Sequence, residues 1–249
     1  METGMVYGIV VAGGQGTRLG RKKQFLDLAG SPVWVRAVRA LLDAGVAPVW
    51  LVVPREDVDK LSVEADDMGL PLRVTAGGET RFDSVYNGLR EVHTWYGEVG
   101  LSSGAGSAGS PSPAGPALVA VHDAARPFVS SEDVKNVVRM AAQTGAAILA
   151  RPCAETVKRV EAGCITSTVP RETLWLAETP QVFRLDWMWD AYRRVHMPSA
   201  ATDDAWVMEQ AGYRVHVVPS TAENRKITTP ADWEYAQLWA QQRWGRRDG

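Results

Sequence analysis

The residues with the clearest chemistry stand in the first loop of the chain. A run of small and β-branched apolar residues over 6–12 is typical of a buried parallel strand, and it leads directly to Gly13, Gly14, Gly16 and Arg18. Glycines let the backbone turn tightly and bring its N–H groups close to an anion, and an arginine adds a fork of charged donors. The loop therefore suits a phosphate group, although an ordinary tight turn between a strand and a helix would use the same glycines.

Three later loops carry groups of the same kind, each directly after a predicted strand. They are, in chain order, Gly77, Gly78 and Glu79; Asp123 with Arg126; and Lys226. A carboxylate at the end of a strand can hold a metal ion, but it can equally cap a loop, and paired glycines can simply close one. Because parallel strands bind ligands at their carboxyl ends, the shared position of these loops favours one common site.

This set of groups suits a metal-bound nucleoside triphosphate. Several cations, one carboxylate and a glycine cradle match a reaction in which negative charge spreads over phosphate oxygens and catalysis is mostly positioning and electrostatic stabilisation. The first loop is not a Walker A motif, since no GKS or GKT follows it. It is not the dinucleotide fingerprint either, because Leu19 stands where the third glycine would be.

The elements that must position these loops alternate along the chain and predict the α/β class, with a mainly parallel sheet and helices on both faces. Strands are expected over 6–12, 46–53, 70–75, 118–121, 146–150 and 213–218. Helices are expected from Ser31-Pro32 to Gly45, over 55–68, after Thr80, over 131–144 from Ser130 or Ser131, over 184–195 and 203–211, and from Thr229 onward. Thr80 with Asp83, and Thr229 with Asp232, have the spacing of a capping box.

Residues 151–178 break the alternation. Short alternating stretches around Gly163 predict a β-hairpin rather than another strand–helix unit. A two-stranded arm is marginal alone, and its apolar positions need a partner surface, for which a second copy of the chain is the simplest candidate. These positions are Val157, Val160, Ile165 and Val169. The arm therefore predicts a homodimer.

The chain is expected to form a single domain over 1–249, with residues 97–117 as an insert within it. That stretch is rich in Gly, Ser, Pro and Ala, and such a composition cannot bury enough apolar surface to offset the entropy of ordering it. A disordered surface loop is favoured over a linker between domains, because the strand that follows continues the same alternation.

Charge and cysteine content exclude several classes of partner. A net charge of −2 gives no bulk attraction for nucleic acid or for an anionic membrane, so phosphate binding must come from locally placed cations. Cys153 and Cys164 fit no zinc spacing, and nothing before Met5 resembles a signal peptide. A reduced, cytoplasmic protein that binds neither nucleic acid nor membrane is expected.

Eight motifs along the chain resemble those of the 2-C-methyl-D-erythritol 4-phosphate cytidylyltransferase family. They are AGGQGTRLG, KKQF, GGETRFDSVYNGL, HDAARPF, ETVKR, ETPQVF, TDDA and NRKIT, in the family's order and approximate spacing over residues 6–238. HDAARP with GGETR is quite specific, whereas AGGQGTRLG is shared with many sugar-nucleotide pyrophosphorylases. The resemblance implies a Rossmann-like nucleotidyltransferase fold, a homodimer through a β-arm, and transfer of CMP from CTP to methylerythritol phosphate with magnesium as cofactor.

The resemblance also implies roles for individual residues. The catalytic cations would be Arg18, Lys23 and Lys226. The nucleotide would be held by Ala12, Gly13, Gly14, Gly16, Gly78, Glu79, Ser84, Asp123 and Ala124, with Asp123 also binding the metal. The acceptor would be held by Arg126, Thr156, Arg171, Thr179 and Thr202, with Arg171 supplied by the neighbouring subunit. Lys22 stands where the family has proline, which leaves open whether Lys22 or Lys23 is catalytic.

Two rival functions stay open from the sequence. A ribitol-5-phosphate cytidylyltransferase shares most of the motifs, and residues 156–171 would set the acceptor. A nicotinamide-dependent oxidoreductase also has a glycine-rich first loop, but it needs no metal at Asp123. A non-catalytic nucleotide-binding regulator would not need the whole charged set.

Overall fold

A computed structural model describes residues 4–13, 22–102 and 116–245. The strands are β1 (Val6–Val11), β2 (Val49–Val53), β3 (Leu72–Ala76), β4 (Leu118–Asp123), β5 (Ala146–Pro152), β6 (Val157–Glu161), β7 (Cys164–Val169), β8 (Trp175–Arg184) and β9 (His216–Pro219). The helices are α1 (Val33–Leu42), α2 (Val58–Asp67), α3 (Arg81–Ser102), α4 (Ser131–Thr144), α5 (Leu185–Arg194), α6 (Asp204–Gln210) and α7 (Pro230–Trp244). Single 3-10 turns lie at Lys23–Phe25, Arg55–Asp57 and Pro198–Ala200.

Seven strands form the central sheet in the order β3-β2-β1-β4-β8-β5-β9. All neighbouring pairs are parallel except those of β8, which runs antiparallel to both β4 and β5. This confirms the predicted α/β class with a mostly parallel sheet. It also places the carboxyl ends of β1, β3, β4 and β9, which the loops singled out from the sequence follow along the chain, at one edge of the sheet.

Strand β8 is the element that the sequence did not predict. Its first residues, 175–178, fall inside the stretch expected to be hairpin, and the rest was not assigned to a strand. The reason is its composition: Glu178, Thr179 and Gln181 are buried at its centre, where a central strand would ordinarily carry apolar residues. Each of these polar side chains has hydrogen-bonding partners within the fold.

The core lies on both faces of the sheet. One cluster joins the sheet to α1, α2 and α4 and includes Trp34, Leu41 and Val137. The other joins it to α3, α5 and α6 and includes Leu89 and Met188. A smaller third cluster packs α7 against the loops after β4 and β9, which fixes those loops relative to the sheet.

The predicted helix starts are largely confirmed. Ser130 caps α4 by accepting a hydrogen bond from the Asp133 backbone N–H at 3.0 Å. Thr229 and Asp232 form a complete capping box at the start of α7. The start of α1 differs from the expectation, because Pro32 occupies the cap position without a side-chain hydrogen bond and Ser31 lies one residue before it.

The hairpin within residues 151–178 is present as the two-stranded sheet of β6 and β7, separate from the main sheet. Val160 and Ile165 on it are exposed. Its role in dimerisation stays a prediction. The insert differs in its first part from the expectation, because α3 continues through 97–102; residues 103–115 lie outside the described structure. Among the described residues, no helix is long and apolar enough to cross a membrane.

Candidate active site

The carboxylate of Asp123 lies at the centre of the charged groups at the sheet edge. Its Oδ2 accepts a hydrogen bond from Lys226 Nζ at 2.6 Å, and its Oδ1 pairs with Arg81 Nε at 3.2 Å. Only 10% of the Asp123 side chain is exposed, whereas Lys226 is 38% exposed. The structure therefore joins two residues that the sequence placed on one edge although they are far apart along the chain.

The two cations set the charge of this carboxylate. Burial by itself would raise the pKa of Asp123, but the positive charges of Arg81 and Lys226 outweigh burial and hold that pKa well below its usual range. Asp123 is therefore an anion at neutral pH, with a cation beside each oxygen.

A chain of buried hydrogen bonds holds the Asp123 backbone. Its N–H donates to Thr179 Oγ1 on β8 at 3.0 Å, Thr179 Oγ1 lies 3.0 Å from His122 Nδ1, and His122 Nε2 lies 3.1 Å from the carbonyl oxygen of Arg126. Burial lowers the pKa of His122 to about 4, so the ring is neutral at neutral pH. Because a carbonyl only accepts, Nε2 carries the proton, and Nδ1 accepts from the Thr179 hydroxyl.

The Arg126 side chain ties the loop after β4 to its neighbours. One terminal nitrogen donates to the Asn224 carbonyl at 2.7 Å, and the other lies 3.4 Å from the Ala177 carbonyl. Asn224, two residues before Lys226, in turn donates to Glu178 and to the Thr179 carbonyl. Arg126 and Thr179, both expected to contact the acceptor, thus hold backbone around Asp123 in this structure.

The turns that are expected to hold the nucleotide lie close to each other. Gly78 N–H donates to Ser84 Oγ at 3.2 Å, and Ser84 is buried. A Cβ added to Gly78 would lie 2.3 Å from Asp83 Cβ, and one added to Gly13 would lie 3.3 Å from Ser84 Oγ. Glycine is therefore required at Gly78, and at Gly13 a side chain would be in tight contact with Ser84. Glu79 in that turn is exposed.

Backbone hydrogen bonds hold Ala12, which follows β1, and Ala124, which follows β4, at the edge of the sheet. Ala12 N–H donates to the Val52 carbonyl at 2.7 Å, and the Ala12 carbonyl accepts from Gln24 Nε2 at 2.7 Å. Ala124 N–H donates to the Val11 carbonyl at 3.0 Å, which ties the loop after β4 to β1.

Lys22 and Lys23 are the two candidates for the catalytic lysine of the first loop. Lys22 Nζ is paired with Glu56 at 3.1 Å and with Asp57 at 2.6 Å, both in the 3-10 turn after β2. Lys23 begins the 3-10 turn Lys23–Phe25, and its side chain is outside the described part of the structure. The other predicted residues of the first loop, Gly14, Gly16 and Arg18, also lie outside the described residues.

Three predicted acceptor residues do not join the Asp123 cluster within one chain. Thr156, Arg171 and Thr202 are exposed. Arg171 donates to the Ala154 carbonyl at the base of the hairpin. In the structure over 116–245, no hydrogen bond or ion pair links Arg171 to Asp123.

Sequence reasoning missed Arg81 and Asp204. Arg81 opens α3 directly after the glycine turn, and its two terminal nitrogens contact Asp204 Oδ1 at 3.0 Å and Oδ2 at 2.7 Å. Asp204 is fully buried and also accepts from the Tyr192 hydroxyl. The available signal was position: both residues lie inside motifs, GGETR and TDDA, at predicted helix starts.

Comparison with known proteins identifies the family to which this chain belongs. The family model for 2-C-methyl-D-erythritol 4-phosphate cytidylyltransferase matches residues 6–101 and 111–242. The curated protein of that name from Pelotomaculum thermopropionicum is 38% identical over 249 residues, which cover 97% of this chain and 96% of that protein.

The chain belongs to the 2-C-methyl-D-erythritol 4-phosphate cytidylyltransferase family.

It is thus a cytidylyltransferase, a kind of nucleotidyltransferase, and its family acts in the isoprenoid pathway. The bifunctional enzyme IspD/IspF of Anaeromyxobacter dehalogenans is 40% identical over 233 residues, covering 91% of this chain but 55% of that longer protein. The crystal structure of the 2-C-methyl-D-erythritol 4-phosphate cytidylyltransferase from Thermus thermophilus matches with a TM-score of 0.72 and 29% identity, covering 95% of this chain and all of that one. The resemblance seen in the motifs is therefore confirmed.

Proposed function

We propose that this cytidylyltransferase transfers CMP from CTP to 2-C-methyl-D-erythritol 4-phosphate and releases pyrophosphate. A phosphate oxygen of the acceptor attacks the α-phosphorus of CTP. The new phosphorus–oxygen bond forms as the bond to the β-phosphate breaks, and pyrophosphate leaves with the electron pair. The observation that carries the proposal is the Asp123 carboxylate held between Lys226 and Arg81, next to the glycine turns.

The protein's part in this reaction is positioning and charge stabilisation, since no covalent intermediate is needed. Lys226 is well placed to contribute, because it is partly exposed and its ammonium is fixed by Asp123 at the sheet edge. Arg18 and Lys23, from the first loop, are proposed to supply the other charges on the triphosphate. Removing one such charge typically costs about 10²–10³ in rate.

The donor set at Asp123 fits a magnesium ion. Among the described residues no cluster of three or more acidic, histidine or cysteine side chains could form a complete protein cage. Magnesium bound to nucleotides, however, commonly takes one or two carboxylates and receives its other ligands from phosphates and water. Asp123, which is ionised and lies at the sheet edge, is proposed to hold it. When bound, the ion would neutralise charge on the triphosphate.

The turn after β3 is proposed to read the cytosine. Gly78 brings the backbone close to Ser84, so the turn offers backbone N–H and C=O groups and short side chains rather than a wide cleft. Glu79, exposed beside it, is proposed to contact the nucleotide as well. Such a turn suits a small pyrimidine edge better than a purine.

The acceptor side is proposed to be completed across a homodimer. Val160 and Ile165 on the hairpin, and Trp175 and Leu176 at the start of β8, are large apolar side chains left exposed in a single chain. A second copy would cover them and would bring Arg171, which is not joined to Asp123 in its own chain, to the acceptor phosphate of its neighbour. Cytoplasmic location remains a proposal based on the sequence alone.

The test is a panel of substrates. Pyrophosphate release would be measured with CTP, UTP, GTP and ATP, each with methylerythritol phosphate, ribitol 5-phosphate and erythritol 4-phosphate, with and without magnesium. We expect release only with CTP, methylerythritol phosphate and magnesium together, and none from an Asp123→Ala control. Equal rates with GTP would refute the proposed reading of the base. Faster release with ribitol 5-phosphate would establish the ribitol-5-phosphate cytidylyltransferase alternative.

A further inference from the structure

Arg81 links three separate loops of the site through one guanidinium group. It is the first residue of α3 and follows directly on the turn proposed to read the cytosine. Its Nε donates to Asp123 at the end of β4, and its two terminal nitrogens donate to the two carboxylate oxygens of Asp204 at the start of α6. No other described residue contacts both carboxylates.

Asp204 lies two residues after Thr202, which is expected to contact the acceptor. Asp203 caps α6 by accepting from the Trp206 backbone N–H at 2.9 Å, and its second oxygen accepts from Gln181 on β8 at 2.9 Å. Thr202, expected to contact the acceptor, is the residue just before this cap. Asp204 follows Asp203 directly, so its ion pair with Arg81 is one of the contacts that hold the loop over 202–204.

The charges make this link rigid. Two cations, Arg81 and Lys226, balance two carboxylates, Asp123 and Asp204, and Asp204 is fully buried. A buried carboxylate is strongly unfavourable without its partner, so the pair holds together as a unit. Because guanidinium is planar, the two bonds to Asp204 and the one to Asp123 have a fixed relative direction. A movement of the guanidinium would therefore disturb the contacts with both carboxylates.

We propose that Arg81 is a positioning residue that couples the nucleotide-binding turn to the acceptor-side loop. Binding of CTP at the turn after β3 fixes Arg81, and Arg81 then fixes Asp123 and the loop over 202–204 for the acceptor. This inference rests on the proposed function of the site. It predicts that each substrate strengthens binding of the other, and that the enhancement depends on the guanidinium fork.

The experiment measures that mutual enhancement without turnover. The nucleotide is the α,β-methylene analogue of CTP. In this analogue a CH2 group replaces the oxygen between the α- and β-phosphorus atoms, so the reaction cannot release pyrophosphate. Calorimetry gives its dissociation constant with and without methylerythritol phosphate, and the reverse titration gives that of methylerythritol phosphate with and without the analogue. The two ratios must agree, because coupling between sites is reciprocal. In the wild-type protein we expect a ratio of at least about fivefold, the lower end of typical coupling.

Two variants disrupt the ion pair between Arg81 and Asp204, one by changing the arginine and the other by changing the aspartate. Arg81→Lys keeps the charge, but one ammonium cannot hold Asp204 with two parallel bonds and also reach Asp123. Asp204→Asn keeps an acceptor for Tyr192 but removes the ion pair. We expect both ratios to fall to between about one and two, with binding of each substrate alone changed less than about threefold. Arg184→Lys is the matched control, because Arg184 grips Asp186 with bonds of 3.0 and 2.6 Å away from the Asp123 cluster.

The outcomes separate this inference from the proposed function. If the wild-type protein binds neither substrate, the proposed function fails. If it binds both and the ratio is one, or if the ratio survives in both variants, the coupling role of Arg81 is refuted while the function stands. A purely structural role would lower the melting temperature and weaken both substrates without changing the ratio. Failure of both variants to fold would assign Arg81 to structure alone and would equally overturn the inference.

Discussion

Replacing Lys226 with methionine should separate the catalytic value of its charge from its structural value. Methionine keeps most of the apolar stem and removes the ammonium that lies 2.6 Å from Asp123 Oδ2. Lys22 offers a closely matched control, because its ammonium also lies 2.6 Å from an aspartate oxygen and its side chain is 36% exposed against 38% for Lys226. The two substitutions differ mainly in the place of the charge.

The magnitudes follow from that match. An ion pair with one partner this exposed contributes about 0–1 kcal/mol to stability, so each variant should lose at most that much free energy of unfolding. For Lys226 the remaining cation Arg81 still holds Asp123 ionised, and the pKa of Asp123 rises toward its usual range. Catalysis should respond differently, because a lost charge on the transferring phosphoryl group costs about 10²–10³ in rate, or about 3–4 kcal/mol.

The assay is steady-state pyrophosphate release with CTP and methylerythritol phosphate, together with urea unfolding of each protein. We expect Lys226→Met to lower kcat by about 10²–10³ and Lys22→Met to change it less than about threefold, with similar small losses of stability. Equal activity of the two variants would refute the role of Lys226. A large loss in Lys22→Met would make Lys22 rather than Lys23 the catalytic lysine of the first loop.

Three further predictions concern a cap, a turn and the hairpin. Burial would raise the pKa of Asp232, but hydrogen bonds from Thr228 and Thr229 outweigh burial and lower this pKa to about 2, against about 3.9 in unfolded chains. The carboxylate should therefore contribute about 1 kcal/mol to the free energy of unfolding above pH 4. This contribution should be lost as the pH falls toward 2. Urea unfolding should therefore show Asp232→Asn less stable than wild type at pH 5 and equally stable near pH 2; a difference independent of pH would contradict this. Gly78→Ala should raise the KM for CTP at least about tenfold, because the added Cβ would lie 2.3 Å from Asp83 Cβ. Gly97→Ala, where an added Cβ meets nothing within 4 Å, should leave the KM for CTP unchanged. An unchanged KM for CTP in Gly78→Ala would show that the turn does not read the nucleotide. Mixed dimers of Arg171→Ala and Asp123→Ala subunits should recover about half of the wild-type dimer's activity, since one of two equivalent sites is then intact, and no recovery after proven subunit exchange would place Arg171 in its own subunit's site.

The sequence was most informative where one local rule decides the structure. The apolar run of β1, the Ser130 cap of α4 and the capping box of α7 are each set by neighbouring residues, and all are present. The meeting of Asp123 with Lys226 was also predictable, because both follow strands whose carboxyl ends share an edge.

What the sequence could not predict depends on partners distant along the chain. Strand β8 lacks an apolar run because Glu178, Thr179 and Gln181 are buried through hydrogen bonds to other loops, and no local pattern shows those partners. The Arg81–Asp204 pair joins residues far apart in sequence at two helix starts, where charged residues are ordinarily read as exposed caps. Burial alone distinguishes this pair from a surface ion pair.

The most direct test of the central claim follows the oxygen that forms the new bond. Methylerythritol phosphate carrying ¹⁸O in its phosphate would be incubated with CTP and magnesium, and the products examined by ³¹P NMR and mass spectrometry, with Asp123→Asn as the control. If the acceptor phosphate attacks the α-phosphorus, ¹⁸O will be found in the oxygen that bridges the two phosphorus atoms of the product. It will also be found in the non-bridging oxygens of the phosphate that came from methylerythritol phosphate. Pyrophosphate will carry no ¹⁸O, and the variant will give little product. Label appearing in pyrophosphate, or full activity of the Asp123→Asn protein, would contradict the account.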